Sequence, residues 1–211
     1  MDGTLVDTEP YWIAAETRLL ERFGAPWSHE QALQMVGQGL WDSAEMLRQA
    51  GASELTADEI VQELTAAVRE QLHSRGIPWR PGAKELLQEL RNAGVSTALV
   101  TMSLREMAQQ VADEANFDAF DVVIAGDDVS QPKPHPEPYL AALRALDVPA
   151  HRAVGIEDSA TGVRSAHAAG LAVIGVPHMM SLDETPAHVL WPTLQERSMA
   201  DLHSVLTQVH G

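Results

Sequence analysis

Two adjacent carboxylates, Glu157 and Asp158, come directly after a short apolar run and directly before a segment with helical spacing. Hard oxygen donors in such a place suit Mg²⁺, which usually takes one or two protein carboxylates, several waters and a substrate phosphate. The plainer alternative is that Asp158, or Ser159 after it, caps the helix that follows. Taken alone, the pair leaves a metal site and a helix cap equally open.

A hydroxyl group and an ammonium group occupy two comparable places. Thr101 ends an apolar run at a predicted helix N-terminus, where a hydroxyl and free backbone amides both suit a phosphate, although a simple N-cap explains it too. Lys133 lies among four prolines at alternate positions, which bar a helix and present the ammonium from a stiff support. A solvated lysine in a surface turn is the alternative. Asp127 and Asp128, between the two, remain unassigned because turn acids would look the same.

The elements that must position these groups are short strands that alternate with helices after residue 80. Continuous apolar runs between helices are typical of a parallel sheet buried on both faces, and functional groups then lie at the carboxyl ends of the strands. The sequence therefore predicts an α/β fold with a doubly wound parallel sheet. The predicted strands are 95–100, 122–125, 153–156 and 172–176, and the predicted helices are 81–93, 105–115, 138–146 and 162–169.

The first part of the chain has another pattern, with helical stripes and no strand before residue 95. Helices are predicted from Glu9 to Phe23, after the Ser28 cap, from Trp41 to Ala50 and from about Thr56 to Arg75. A glycine- and proline-marked segment at 76–82 ends this block. We therefore predict two domains, an α/β core made of 1–9 and 80–211 and an inserted all-α domain at 10–79.

Composition narrows the function classes. The chain has 211 residues, 30 acidic against 14 basic, and a formal charge of −16, which disfavours nucleic acids and anionic membranes as partners. There are no cysteines, so disulfides and thiolate metal sites are excluded. The sequence shows neither a signal-peptide pattern nor an apolar run long enough to span a bilayer, so we expect a cytoplasmic protein without membrane insertion. We also expect a monomer.

Four motifs in order resemble the haloacid dehalogenase superfamily, in its helical-cap phosphatase branch that includes the β-phosphoglucomutase-like hydrolases. They are Asp2-Gly3-Thr4, Thr101, Lys133 in Lys-Pro-x-Pro-x-x-Tyr, and Glu157-Asp158 in Gly-x-Glu-Asp-Ser-x-x-Gly, each at an expected strand end. The resemblance covers nearly the whole chain. It implies a Rossmann-like core with a helical cap, a Mg²⁺ cofactor, and a small phosphorylated metabolite as substrate.

The resemblance also implies roles for single residues. In the family an aspartate attacks the phosphate monoester and water then hydrolyses the aspartyl-phosphate. Asp2 would be the acid/base partner, with its backbone carbonyl on the metal, and Glu157 and Asp158 would be the other metal ligands. Thr101 and Lys133 would hold the phosphoryl oxygens, and Met102 and Ser103 would complete the substrate-binding loop.

The nucleophile itself has no counterpart in the sequence. The family motif is Asp-x-Asp-Gly-Thr, and Met1 stands at the x, so the first aspartate would precede Met1. We therefore expect a chain that starts at Met1 to lack the nucleophile and its strand, and to be inactive and poorly stable. A miscalled start, a truncation and a true pseudoenzyme all remain open.

The helical domain would act as a cap that selects substrates. By resemblance, the segment from Val36 to Trp41 faces the site, with Gln38 and Trp41 as candidate substrate contacts, although Trp41 could equally pack between cap helices. Mutase members have a histidine where Trp12 stands, which favours hydrolysis, and the family often has asparagine where Met102 stands. Dehalogenases lack the second aspartate, so Asp2 argues against that activity.

We thus predict a Mg²⁺-dependent phosphatase of small metabolites, sugar phosphates in particular, acting through an aspartyl-phosphate. One alternative is a β-phosphoglucomutase-like isomerase, which would convert a hexose 1-phosphate to the 6-phosphate rather than release phosphate. The other is a catalytically dead member that binds a phosphorylated ligand.

Overall fold

Strands and helices alternate through the larger part of the chain, as the apolar runs predict. A computed structural model describes all residues from Met1 to Gly211. The chain divides into two units, a core unit made of Met1–Asp7 and Trp79–Gly211 and a helical unit made of Thr8–Pro78.

The core unit contains five strands and five α-helices. Its helices are α5 (Ala83–Asn92), α6 (Arg105–Asp113), α7 (Glu137–Leu146), α8 (Ala160–Ala168) and α9 (Met199–His210), after four helices in the helical unit. Its strands are β1 (Ala98–Val100), β2 (Val122–Ile124), β3 (Val154–Glu157), β4 (Ala172–Gly175) and β5 (Val189–Leu190). Short 3-10 turns lie at Gly126–Asp128 and Ala150–Arg152.

All strand pairs of the core unit are parallel, but they form two sheets. One contains β1 and β2, and the other has the order β3-β4-β5. No ladder joins β1 to β3. The parallel α/β architecture is confirmed. The sequence suggested one continuous sheet, whereas the structure has two.

Strand β4 shows why both faces of the sheet are buried. Successive side chains of a strand point to opposite faces. Ala172 and Ile174 join a cluster with leucines of α5 and α9, while Val173 joins a second cluster with Val163 and other side chains of α7 and α8. Helices therefore cover both faces, which explains the uninterrupted apolar sequence of the strand.

The helical unit consists of α1 (Glu9–Arg22), α2 (His29–Leu33), α3 (Leu40–Ala50) and α4 (Ala57–Arg75). Capping boxes begin α2 at Ser28, the cap that the sequence predicts, and α4 at Thr56, where the sequence predicts the start of a helix. Helix α4 buries one stripe that includes Ile60, Leu64 and Leu72. No helix of the chain is both long and apolar enough to cross a membrane.

Several predicted boundaries were wrong. Strand β1 begins at Ala98 rather than at residue 95, because the Asp121 carboxylate and the Ala119 carbonyl bind the backbone and hydroxyl of Thr97 in place of a ladder. Helices α6 and α8 also differ by one to two residues from prediction. Strand β5 and helix α9 were not predicted.

Candidate active site

Residues Met1 to Val6 form a tight loop that carries Asp2. The Gly3 amide donates to the Val6 carbonyl at 2.8 Å, and the Leu5 amide donates to the Met1 carbonyl at 2.8 Å. Gly3 has φ +70°, and a Cβ atom at this position would lie 2.0 Å from Oδ2 of Asp158. Glycine is therefore required twice, for the left-handed turn and for the close approach to Asp158.

Asp158 lies at the end of β3 and is held by the opening loop. Thr4 donates its hydroxyl to Oδ1 of Asp158 at 2.6 Å. Burial raises the pKa of Asp158, and the adjacent Glu157 carboxylate raises it further, whereas the Met1 ammonium, the Thr4 hydroxyl and Lys133 lower it. The pKa of Asp158 is thus raised because the nearby positive charges and the Thr4 hydrogen bond only partly offset its burial and the charge of Glu157.

A line of hydroxyls joins Asp2 to the end of β1. Ser103 donates its hydroxyl to Oδ2 of Asp2 at 2.6 Å, and Thr101 lies 3.2 Å from the Ser103 hydroxyl. The Ser103 amide donates to the Thr101 hydroxyl at 3.1 Å. Thr101 and Ser103 are both buried, so these bonds hold the candidate acid/base in a fixed orientation.

Lys133 and Glu157 form a buried ion pair that joins the ends of β1 and β3. The ammonium contacts Oε1 of Glu157 at 2.5 Å and donates to the Val100 carbonyl at 3.1 Å. Tyr139 donates its hydroxyl to the same carboxylate oxygen, and burial followed by the charge of Glu157 raises the tyrosine pKa. A Cβ at Gly162 would lie 2.0 Å from Oε2 of Glu157, so α8 begins closely against this carboxylate.

Two groups of contacts therefore lie at one edge of the core unit. Hydrogen bonds join Asp2, Ser103 and Thr101, and an ion pair joins Lys133 to Glu157. Asp158, next to Glu157 in the chain, is held against the opening loop by Thr4 and Gly3. Met102 is adjacent, and its sulfur accepts the Lys133 amide at 3.3 Å. In the helical unit, Gln38 is exposed, and Trp41 is 45% exposed with its indole N–H bonded to Asp58 at 2.7 Å. Trp41 is thus not enclosed between helices.

Asp127 and Asp128, which the sequence left unassigned, have structural roles. Asp127 accepts the backbone amide of Arg105, the first residue of α6, at 2.9 Å. Asp128 forms an ion pair with the guanidinium of Arg105 and accepts the Ala125 amide at 2.7 Å. They hold α6 against the end of β2.

Three contributions were not predicted. Thr4 belongs to the first motif, but its bond to Asp158 spans 154 positions. Ser103 is expected from the sequence to bind substrate, whereas its hydroxyl is directed to Asp2. Tyr139 enters the sequence analysis only as the last residue of the Lys-Pro-x-Pro-x-x-Tyr motif. The proline-held segment that presents Lys133 was the one available signal for Tyr139, since both lie in the same motif.

Asp158 and Glu157 are the candidate metal-ligating carboxylates of this site. The chain contains no group of three or more His, Cys, Asp or Glu side chains arranged to hold a metal ion. Mg²⁺ needs only one or two protein carboxylates, and Asp158 has hard oxygens and a raised pKa that a cation would reverse. Glu157 is already paired with Lys133. The residues fit Mg²⁺ through Asp158, with Glu157 at most a secondary ligand.

The family model of the haloacid dehalogenase-like hydrolases matches residues 1–176 of the sequence. This chain belongs to that family. Among its relatives, the phosphorylated carbohydrates phosphatase of Thermotoga maritima is 30% identical over 186 residues, which cover 86% of this chain and 84% of the relative. Protein CbbY of Cereibacter sphaeroides is 32% identical over 188 residues, which cover 84% and 81% of the two chains.

Solved structures agree with this assignment. CbbY from Rhodobacter sphaeroides in complex with phosphate superposes with a TM-score of 0.87 at 29% identity and covers 96% of each chain. A β-phosphoglucomutase from Clostridium difficile superposes with a TM-score of 0.81 over 98% of this chain and 94% of its own, but at 20% identity it shows the fold alone. The haloacid dehalogenase-like fold inferred from the motifs is confirmed.

Proposed function

We propose that this protein is a phosphatase that hydrolyses phosphate monoesters of small metabolites, sugar phosphates in particular. The observation that carries the proposal is the hydroxyl line from Thr101 through Ser103 to Asp2, next to Asp158 and the Lys133–Glu157 pair. It combines a held carboxylic acid/base with phosphate-binding groups in one place. Two similar proteins support phosphate esters of small metabolites as the substrate class. One is the relative named as a phosphorylated carbohydrates phosphatase, and the other is CbbY, whose structure contains phosphate.

Each residue has a proposed task in phosphoryl transfer. Asp2 protonates the leaving alkoxide and later accepts a proton from water, in the orientation that Ser103 maintains. Thr101 and Lys133 bind phosphoryl oxygens and offset their charge. Asp158, with Glu157 and the Asp2 carbonyl, would hold Mg²⁺, which when bound would lower the repulsion between the carboxylates and the phosphate. In the helical unit, Gln38 and Trp41 are proposed as substrate contacts.

By the family resemblance, an aspartate nucleophile is proposed to act beside Asp2, at the Met1 end of the opening loop. Two observations support its position. The Met1 amino group is near enough to Asp158 to lower the pKa of that carboxyl, so a residue joined to it would lie at the acidic site. In addition, β1 and β3 share no ladder, and the family resemblance expects the strand leading into this aspartate between them.

The experiment compares the chain starting at Met1 with a version extended by an apolar strand ending in aspartate. Phosphate release from p-nitrophenyl phosphate and from a panel of sugar phosphates is measured with Mg²⁺ and with excess chelator. We expect turnover only in the extended version and only with metal. Equal turnover in both versions would refute the proposed nucleophile, and undiminished turnover with chelator would refute the metal.

Hydrolysis is favoured over isomerisation because Trp12 stands where mutases have histidine. Product analysis on a hexose 1-phosphate tests this choice. Free sugar with inorganic phosphate supports the phosphatase, whereas hexose 6-phosphate would show a mutase. A version that binds phosphate esters but converts none of them would show a phospholigand-binding protein.

A further inference from the structure

Arg80 joins three backbone segments of the core unit. Its amide donates to the Leu5 carbonyl at 2.8 Å, and its guanidinium donates to the Gly3 carbonyl. The same guanidinium reaches the carbonyls of Val176 at 3.4 Å and Pro177 at 3.2 Å. Val176 and Pro177 follow β4 directly, so one side chain ties the opening loop to the carboxyl end of the sheet.

Arg80 binds the loop at Gly3, where the position of the backbone is most restricted. Gly3 follows Asp2, and a Cβ at Gly3 would overlap Oδ2 of Asp158, so the Gly3 backbone is pressed against that carboxylate. A planar guanidinium has five donors in a fixed fork, which suits several carbonyls at once better than an ammonium. The charge is partly buried, and the carboxylates of Asp158 and then Asp7 attract it.

We infer that Arg80 is a positioning residue of this site, holding the Asp2–Gly3 backbone against Asp158 through the Gly3, Val176 and Pro177 carbonyls. It touches no reacting atom in this arrangement and acts through the loop. The inference rests on the proposed function, because it takes Asp2 and Asp158 as the groups that are positioned. It assigns a role to a residue that lies outside all four sequence motifs.

Two simpler roles make different predictions. If Arg80 acted only by its charge, its removal would strengthen Mg²⁺ binding at Asp158, because a nearby cation repels the metal. If it only contributed to general stability, its loss would lower the melting temperature without a selective effect on the loop. A positioning role predicts a selectively loosened loop and weaker Mg²⁺ binding.

Arg91 provides a matched control in the same unit. Its guanidinium also joins carbonyls of separate segments, Asp118 at 2.8 Å and Val95 at 3.5 Å, and it pairs with Asp121. These segments precede β1 and β2, at the amino ends of the strands. Arg91→Gln therefore removes an equivalent brace without touching the site.

The experiment measures amide hydrogen exchange of residues 3–6 and Mg²⁺ affinity by calorimetry for the parent protein, Arg80→Gln, Arg80→Lys and Arg91→Gln. We expect the loop amides to exchange about tenfold faster in Arg80→Gln and less so in Arg80→Lys, with Arg91→Gln unchanged there. Mg²⁺ affinity should fall by about tenfold in Arg80→Gln.

The outcomes separate this inference from the proposed function. Unchanged loop exchange in Arg80→Gln overturns the positioning role whether or not metal binds, and so does tighter Mg²⁺ binding in that variant. Absence of Mg²⁺ binding in the parent protein contradicts the metal part of the proposed function, while selective loosening of the loop would still support the positioning role. If Arg80→Gln does not fold, Arg80→Lys decides, and equal exchange in it and Arg91→Gln overturns the inference.

Discussion

The two units differ in how completely their buried polar side chains are hydrogen-bonded. In the core unit each buried polar side chain has a hydrogen-bond partner, as shown for Thr4, Thr97, Thr101, Ser103, Glu157 and Ser165. In the helical unit, Oε2 of Glu16, the indole nitrogen of Trp27 and the hydroxyl of Thr65 are buried without a partner of normal geometry. A buried polar group without a partner costs about 1–3 kcal/mol.

The difference indicates that fixed side-chain orientation matters more in the core unit than in the helical unit. A fully bonded network fixes side-chain orientation, which a site for phosphoryl transfer needs. Glu16 shows the opposite case, since burial raises its pKa to about 8, the charge of Glu9 adds to this, and the nearby Trp27 only partly opposes it. The core unit is therefore arranged for chemistry, whereas the helical unit holds a carboxyl that is better tolerated in its neutral form.

The largest expected effect is on Asp2, the proposed acid/base of the core unit. Asp2→Asn keeps an acceptor for Ser103 but removes proton transfer, so kcat in a version that contains the nucleophile should fall by about 10²–10⁴-fold. Steady-state kinetics on p-nitrophenyl phosphate measure this. Asp127→Asn is the control, because Asp127 only accepts an amide at α6, and a comparable loss there would contradict the assignment.

The second effect concerns Glu16 and pH. Its pKa is raised on folding, from 4.5 to about 8, so the folded form binds the extra proton and stability falls as pH rises through this range. The accumulated loss is on the order of 4 kcal/mol by pH 9. Glu16→Gln should remove this dependence, as measured by denaturation or by amide exchange in α1 and α4 at pH 5 and pH 9.

Glu21→Gln is the control for this prediction, since Glu21 lies on the same helix but is exposed. Its stability difference from the parent protein should not change with pH. If Glu16→Gln loses stability with rising pH as steeply as the parent protein does, then Glu16 is ionised without penalty and the contrast between the units is wrong.

These contrasts also show what the sequence could reveal. Continuous apolar runs between helices located β1 to β4 and the groups at their ends, because local periodicity and strand-end position suffice for that. The bond from Ser103 to Asp2 spans 101 positions, and no local pattern records it. The burial of Glu16 is invisible for a related reason: an acid between apolar residues usually indicates solvent, and only tertiary packing buries it.

A matched pair of threonines gives a smaller, direct test. Thr4→Val removes the hydroxyl that donates to Asp158, so it should lower stability by about 1–3 kcal/mol and raise the pKa of Asp158 further. Thr65→Val removes a hydroxyl that has no partner, so it should be neutral or stabilising. Urea denaturation of both variants measures this, and equal losses would show that Thr65 is bonded after all.

The smallest effect tests whether the core unit loses stability as pH falls, which is the opposite of the loss that Glu16 causes in the helical unit as pH rises. Ring nitrogen Nδ1 of His188 accepts the Val173 amide at 2.9 Å, which requires the neutral ring with its proton on Nε2. Burial, then His167 and His210, lower the pKa of His188 below 6.5. Because the folded form resists protonation, this contribution is complete above about pH 6.5 and is lost as pH falls below it.

His188→Asn should therefore be destabilising near pH 7.5 by at most about 1 kcal/mol, the value of one neutral hydrogen bond, and less so at pH 5. His203→Asn, on the exposed side of α9, should show no such pH-dependent difference. Urea denaturation at the two pH values measures the change. A difference that grows toward acid would mean that protonated His188 stabilises the fold, and that the amide of Val173 in β4 does not depend on the neutral ring.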